Sequence, residues 1–276
     1  MRLARLENIE EDRRQLAVVT GAGGFIPIEK VAQSTGETLN PAIADPDGTG
    51  WLGKDARALL TKLVRGVDLG SLEVLDLKSW RVKAPVARPG KIIAVGRNYM
   101  DHVREGQEIW AKRGRNVETP TFPTAFAKFP SSMCGPYDDV LLPEGHDDID
   151  YEVELAVVIG ERALNTSSQT ALDHVAGYMI CNDLAARAIQ RKEMEAQIGI
   201  TLAKNFPTFA PMGPWLTTPD DVGDPQSLRL VLEVDGDVRQ DASTSDMMFP
   251  VAELIAYWSR VGLERGDIII TGTPQV

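Results

Sequence analysis

The chain has no apolar run near the roughly 20 residues that a bilayer-spanning helix needs. Its N-terminus, Met1-Arg2-Leu3-Ala4-Arg5, leads into charge rather than into the apolar core of a signal peptide. Both absences point to a cytoplasmic protein. Cysteine is scarce: Cys134 and Cys181 form no close ligand pair, and their usage fits a reducing compartment. Positive charge is in deficit. With 29 Lys+Arg against 40 Asp+Glu the formal net charge is −11, which argues against nucleic acid or an anionic membrane as partner. A small anionic substrate is still allowed, because a few local cations override the global field. There is no internal repeat and no low-complexity tract. The glycines of Gly21-Ala22-Gly23-Gly24 lack Rossmann spacing and a following helix, which excludes a nucleotide loop there.

What is present is an ordinary globular composition, 43% hydrophobic and 25% charged over 276 residues, enough to bury a large core. Residues 1–85 read as a small N-terminal domain. Gln15–Thr20 and Phe25–Ile28 flank the glycines as a hairpin, and residues 54–65 suit a helix with Ala58, Leu59, Lys62 and Leu63 on or near one face. Lys83–Gly90 has linker composition, and a larger unit covers 90–276. Its predicted strands are Lys91–Gly96, Thr124–Phe129, Val140–Pro143, Asp150–Gly160, Tyr178–Asp183 and Asp267–Thr271. Asp235-Gly236 joins a hairpin of Leu228–Val234 and Val238–Gln240. Helices are predicted over 170–175, 184–195 and 249–261, the last with Val251, Leu254, Ile255, Trp258 and Val261 on its apolar face and Gly262 at its end. Polar residues 106–123 suit a mobile lid. Few long helices separate the strands, so the fold class is α+β, mostly β, and antiparallel-rich.

Asp150-Tyr151-Glu152-Val153-Glu154-Leu155-Ala156-Val157-Val158-Ile159-Gly160 reads as a core strand with an acidic first half. Side chains alternate along a strand, so Asp150, Glu152 and Glu154 share a face with Ala156 and Val158. Carboxylates running into a buried face need a partner, and a metal ion supplies one. A strand end emerging into solvent explains the same pattern without a ligand. About 30 residues on, Asp183 sits between a strand and a helix, where an N-cap role explains it equally well. If Glu152, Glu154 and Asp183 converge, three oxygens of formal charge −3 select a hard cation, Mg²⁺ or Mn²⁺. A structural Ca²⁺ site is the alternative, and zinc is disfavoured because no His or Cys stands at ligand spacing.

Two further groups carry chemistry. His102 and Glu105 lie three apart on one predicted helical turn, where a carboxylate orients an imidazole as a general base. A solvated His-x-x-Glu turn is the plain alternative. His146 and His174 sit in polar contexts and read as surface residues. Lys128, Lys204, Arg187 and Gln190 would each pass as surface side chains. Around a carboxylate-bound metal they would suit an anionic substrate with several oxygens.

Five segments in order resemble the signatures of the fumarylacetoacetate hydrolase family: Gly96–Glu105, Asp150–Ala156, Asn182–Gln190, the stretch from Lys204 through Ala210–Pro214, and Gly266–Pro274. The resemblance covers residue 90 to the end. It implies a mixed β-sandwich/β-roll catalytic domain behind a small N-terminal domain, in a homodimer. It also implies a divalent metal on Glu152, Glu154 and Asp183, with a His102–Glu105 dyad and Lys204 as active-site lysine. Asp150 then leaves the ligand set. Ala188 stands where the family often has an acid. The family continues beyond the closing motif, so the end at Gln275-Val276 carries the expectation of a shortened C-terminus.

The implied activity is hydrolysis of a C–C bond in a β-diketo acid of the acylpyruvate kind, through a metal-stabilised enolate. His102 would activate water, Lys204 would stabilise the oxyanion, and Arg97, Lys128, Arg187, Gln190 and Thr273 would contact a small anionic keto acid. Decarboxylation of a 2-keto diacid and isomerisation of a 2-hydroxy-dienoate are the enzymatic alternatives on the same scaffold. A non-catalytic metal-binding protein is the alternative of another class.

Overall fold

Strands β1 (Arg2–Asn8), β2 (Arg14–Val19) and β3 (Phe25–Pro27) run antiparallel, with the glycine turn between β2 and β3 as the sequence predicts. The computed structural model describes residues 1–114, 116–197 and 199–275. Arg115, inside the expected lid, and Val276, at the end of the expected larger unit, lie outside the described residues. Helices α1 (Ile28–Ser34), α2 (Pro41–Ala44) and α3 (Lys54–Arg65) follow, then β4 (Trp80–Lys83), which pairs with β1. Helix α3 has the predicted bounds but a rotated apolar stripe. Ala56, Leu60 and Leu63, at i, i+4 and i+7, are buried, whereas Ala58 and Lys62 are exposed.

The remainder begins with β5 (Ile92–Gly96), α4 (Met100–Ala111), β6 (Thr124–Lys128), β7 (Met133–Cys134) and β8 (Ile149–Asp150). Next come β9 (Val153–Ile159), β10 (Val175–Asn182), β11 (Ala185–Ala186), α5 (Arg187–Glu195) and β12 (Ala210–Thr217). Helix α6 (Pro219–Val222), the hairpin β13 (Arg229–Val234) and β14 (Asp237–Ser243), helix α7 (Val251–Trp258) and β15 (Ile268–Ile270) complete the described order. Asp235 and Gly236 both take positive φ, 53° and 86°, as a two-residue hairpin turn requires.

One eleven-stranded sheet dominates, ordered β3-β2-β1-β12-β10-β9-β15-β5-β6, with β4 on β1 and β7 on β12. Among the described residues, only the β15–β5 and β12–β7 pairs in it are parallel. The mixed, mostly β class therefore holds. β1 bonds to β12, so the sheet runs through both units set apart in the sequence. The pleat sorts the core. Ala156 and Val158 of β9 join Ile92, Ala94, Ile268 and Ile270 in one apolar cluster. Val153, Leu155, Val157 and Ile159 join Ile93, Val95 and Ile269 in another, under α7. Both faces of β9 are covered, so every residue from Val153 to Ile159 is buried.

Several elements differ from expectation. Val140–Pro143 is not a strand: Leu141 and Leu142 are exposed, and the Leu141 amide donates to the Thr208 hydroxyl instead of a sheet partner. Helix α5 starts at Arg187 rather than 184, because Ala185 and Ala186 first pair with β8. The expected lid is helical through Ala111, and the helix over 170–175 shrinks to a 3-10 turn, Ala171–His174. Val261 is exposed, since the last turn tightens to 3-10 over Ser259–Val261 and rotates it away from the core. His174 is half-buried with Nδ1 enclosed, not a free surface residue.

Candidate active site

Neighbouring strands bring the acidic residues together. β9 and β10 pair with Glu154 opposite Cys181 and Val153 opposite Asn182, so the chain beyond each strand end stays adjacent. The Asp183 amide donates to the Glu152 carbonyl at 2.8 Å, and the Glu152 amide donates to Asn182 Oδ1 at 2.9 Å. One carboxylate oxygen from each of Glu152, Glu154 and Asp183 lies within 4.8 Å of the others, and all three residues are buried. Asp183 caps no helix, because α5 begins four residues later.

The other strand beside β9 supplies a further support. Beyond β15, the Thr271 amide and hydroxyl donate to the Leu155 carbonyl, and the Gly272 amide donates to Glu154 Oε2 at 2.6 Å. Thr273 is buried and accepts from Gln240 Nε2 at 2.8 Å.

Lys204 and Lys128, which taken alone would each pass as surface side chains, are almost fully enclosed. Lys204 Nζ donates to Glu152 Oε2 at 2.6 Å, to the Asp183 carbonyl at 2.9 Å and to Asp183 Oδ2 at 3.0 Å. An ammonium has three protons, so Lys204 has no donor to spare for an oxyanion. Lys128 Nζ donates to the Lys204 carbonyl and pairs with Asp183 Oδ1 at 2.7 Å. That pair lacks hydrogen-bond geometry, leaving Asp183 Oδ1 buried without a hydrogen bond among the described residues. Arg187 reaches Asp150 Oδ2 with Nε, Glu152 Oε1 with Nη2 and Gln190 Oε1 with Nη1, at 2.7–2.8 Å. Of the expected substrate contacts, Lys128, Arg187 and Gln190 are thus engaged with the carboxylates or with one another.

These neighbours set the protonation. Burial opposes ionisation of Glu152, but Lys204, Arg187 and His102 outweigh it and hold the carboxyl down to about 2. Burial, then the Asp183 and Glu152 carboxylates, pushes Glu154 well above the usual range. Burial would lower Lys204, yet Asp183 and Glu152 keep its ammonium above the ordinary value. Three convergent buried carboxylates, one destabilised as an anion and another with an unbonded oxygen, fit a hard divalent cation.

His102 Nδ1 lies 3.1 Å from Glu105 Oε2 on α4, both partly buried. Arg97 is half-buried at the end of β5 with φ 55°, and no hydrogen bond or ion pair among the described residues joins it to triad or dyad.

Two supporting residues escape the sequence reading. Asn98, wholly buried, donates to the Phe249 and Thr271 carbonyls and accepts from the Phe249 amide, tying the entry to α4 to the closing loop. It stands inside a quoted motif, which was its only signal. Gln240, also buried, accepts from the Val153 amide and donates to Thr273 Oγ1 and the Pro274 carbonyl. It follows three exposed residues of β14, so no alternation marked it.

Residues 91–276 match the family described as fumarylacetoacetate (FAA) hydrolase C-terminal. A Bos taurus protein named oxaloacetate tautomerase FAHD2A, mitochondrial, is 39% identical over 253 residues, covering 91% of this chain and 74% of its own. The maleylpyruvate hydrolase from Sphingobium sp. SYK-6, solved with manganese(II) and pyruvate, superposes with a TM-score of 0.74. It is 31% identical, over 100% of this chain and 89% of that one. A 5-carboxymethyl-2-hydroxymuconate delta-isomerase from Mycobacterium smegmatis gives a TM-score of 0.70 at 29% identity, over 99% and 88% of the two chains. Among the described residues no helix is long and apolar enough to cross a membrane.

Proposed function

The chain belongs to the fumarylacetoacetate hydrolase family, and within it we propose a metal-dependent hydrolase that cleaves a C–C bond of a β-diketo acid of the acylpyruvate kind. The observation that carries this reading is a buried triad of convergent carboxylates together with a hydrogen-bonded His–Glu dyad on α4. Glu152, Glu154 and Asp183 would hold Mg²⁺ or Mn²⁺. The manganese-bound hydrolase relative favours this metal class. Such a cation supplies a Lewis acid for a 2-keto carboxylate.

The chain's own groups then divide the work. Glu105 holds the imidazole so that His102 takes a proton from water. The resulting hydroxide adds to the distal carbonyl, the C–C bond breaks, and a carboxylic acid leaves. The other fragment departs as the enolate of a 2-keto acid, and a proton returned from the dyad completes it. Lys204 acts through its charge, not through a free donor, because its three protons are engaged. Arg97 and the Thr273 hydroxyl are the remaining candidates for contacting substrate, and closure of the segment after α4 would exclude water.

A second reading has its own support. The mammalian relative named an oxaloacetate tautomerase shares 39% identity with this chain. Proton relocation in a 2-keto diacid would use the same triad and dyad with no attacking water. Purified protein loaded with Mg²⁺ or Mn²⁺ would be assayed on acylpyruvates, oxaloacetate and a hydroxymuconate-type diene, with and without chelator. Chelator-sensitive acylpyruvate cleavage supports the hydrolase. Keto–enol interconversion of oxaloacetate without any cleavage selects the second reading. No turnover of any of the three by folded, metal-loaded protein sinks both.

A further inference from the structure

Glu193 has no part in the chemistry above, yet its carboxylate makes three hydrogen bonds to one short segment. Oε1 accepts from the Thr201 amide at 3.1 Å and the Leu202 amide at 2.7 Å, and Oε2 accepts from the Ala203 amide at 3.1 Å. These are the leading amides of the 3-10 turn Leu202–Lys204, groups with no partner inside the turn. The turn is the mount of Lys204.

For its own helix Glu193 is badly placed. It sits in the last turn of α5, where the helix dipole disfavours a carboxylate. Among the described residues it has no cationic partner. Its favourable interactions are with the turn beyond α5.

The two ends of α5 act on the same ligand. Arg187, its first residue, holds Glu152 Oε1, and Lys204, clamped through Glu193 near the other end, holds Glu152 Oε2. Six residues of helix, about 9 Å, fix the spacing between these anchor points. Asn205 secures the far side of the turn, donating to the Thr201 and Ala127 carbonyls and accepting from the Phe129 amide.

We infer that Glu193 is a positioning residue: its carboxylate, bonded to the amides of residues 201–203, fixes where the Lys204 ammonium stands against Glu152 and Asp183. The inference rests on the reading of the triad as a cation site. Lys204 offsets part of the triad's negative charge, so its displacement leaves the triad more attractive to a divalent cation.

The test is a double-mutant cycle read by Mn²⁺ titration of the full chain, with kinetics and amide exchange alongside. Lys204→Met should tighten Mn²⁺ binding about 3- to 10-fold by removing a nearby positive charge. Glu193→Ala should shift it the same way by about threefold and lower kcat about tenfold through misplacement. Amides 201–203 should exchange faster. In the Lys204→Met background, Glu193→Ala should change neither Mn²⁺ affinity nor kcat. Glu193→Gln keeps one acceptor oxygen for Thr201 and Leu202 and should recover most of the loss. If Glu193→Ala does not fold, Glu193→Gln carries the same cycle with a smaller shift. Equal effects of Glu193→Ala with and without Lys204, or none with it, overturn the inference. Wild-type protein that binds no Mn²⁺ overturns the cation-site reading itself, an outcome distinct from an additive cycle. Wild type that binds Mn²⁺ but turns over no keto acid sinks the proposed reaction while the titration still decides Glu193.

Discussion

The Gly272 amide donates to Glu154 Oε2 at 2.6 Å, so the closing motif orients the carboxylate that burial, and then Asp183 and Glu152, push toward protonation. The contact requires glycine. Its φ is +95°, and a Cβ there would lie 2.7 Å from the Asn98 Cβ. Gly272→Ala should therefore shift the loop, weaken Mn²⁺ binding about tenfold and destabilise the fold by about 2 kcal/mol. Titration calorimetry and urea unfolding check both. An alanine variant with unchanged metal affinity would show that the amide does not hold Glu154 for the metal.

Triad and dyad should separate by function. Glu152→Ala removes one of three carboxylates and is expected to abolish Mn²⁺ binding and all turnover. His102→Ala leaves the carboxylates in place. It should lower kcat about 10²- to 10⁴-fold, the usual contribution of a general base, with metal affinity nearly intact. Equal loss of metal in both variants would contradict this division.

Asn98 is wholly enclosed and serves three backbone groups of two separate segments. Asn98→Ala strands those groups without water. Urea unfolding should show a loss of about 3 kcal/mol. The loop after Thr271, whose Gly272 amide holds Glu154, should loosen with it, seen as faster amide exchange at Gly272. A loss under about 0.5 kcal/mol would mean that the cross-link is dispensable.

A pH effect is expected far from the site. Burial would raise the Asp47 carboxyl, but Arg5 and Arg14 more than offset it, leaving it below the ordinary value. A depressed carboxylate stabilises the fold fully above its unfolded value, about 3.9. That contribution is lost as pH falls through the lower folded value. Asp47→Asn should cost about 2 kcal/mol at pH 7, since it leaves the buried Arg5 unpaired. The gap to wild type should close as pH drops from 5 toward 2. Thermal melts across that range test it, and a gap that widens on acidification would contradict the sign.

Local order was legible where local chemistry decides it. The alternation of Glu152 and Glu154 with Ala156 and Val158 placed the acids on the face that the structure buries, and Asp235-Gly236 marked its hairpin. The bounds of α3 were also readable, although its buried stripe was not, because the tertiary neighbours of Leu60 choose among overlapping faces. Val140–Pro143 looked like a strand by composition but found no partner to pair with. Taken alone, Lys128 and Lys204 read as ordinary surface lysines, since enclosure depends on chain segments far apart in sequence; the family resemblance, not the local pattern, marks Lys204. The convergence of Asp183 with Glu152 and Glu154 needed the β9–β10 register, which no local pattern encodes. Glu193 was invisible for the same reason: its partners lie beyond the helix end.

The most direct measurement is an anomalous-difference map from crystals of the full chain grown with Mn²⁺. One peak should lie about 2.1 Å from a carboxylate oxygen of each of Glu152, Glu154 and Asp183. The peak should vanish in Glu152→Ala crystals grown identically. A wild-type map with no peak among these three residues, or with Mn²⁺ bound only elsewhere, would contradict the assignment of the triad as the metal centre.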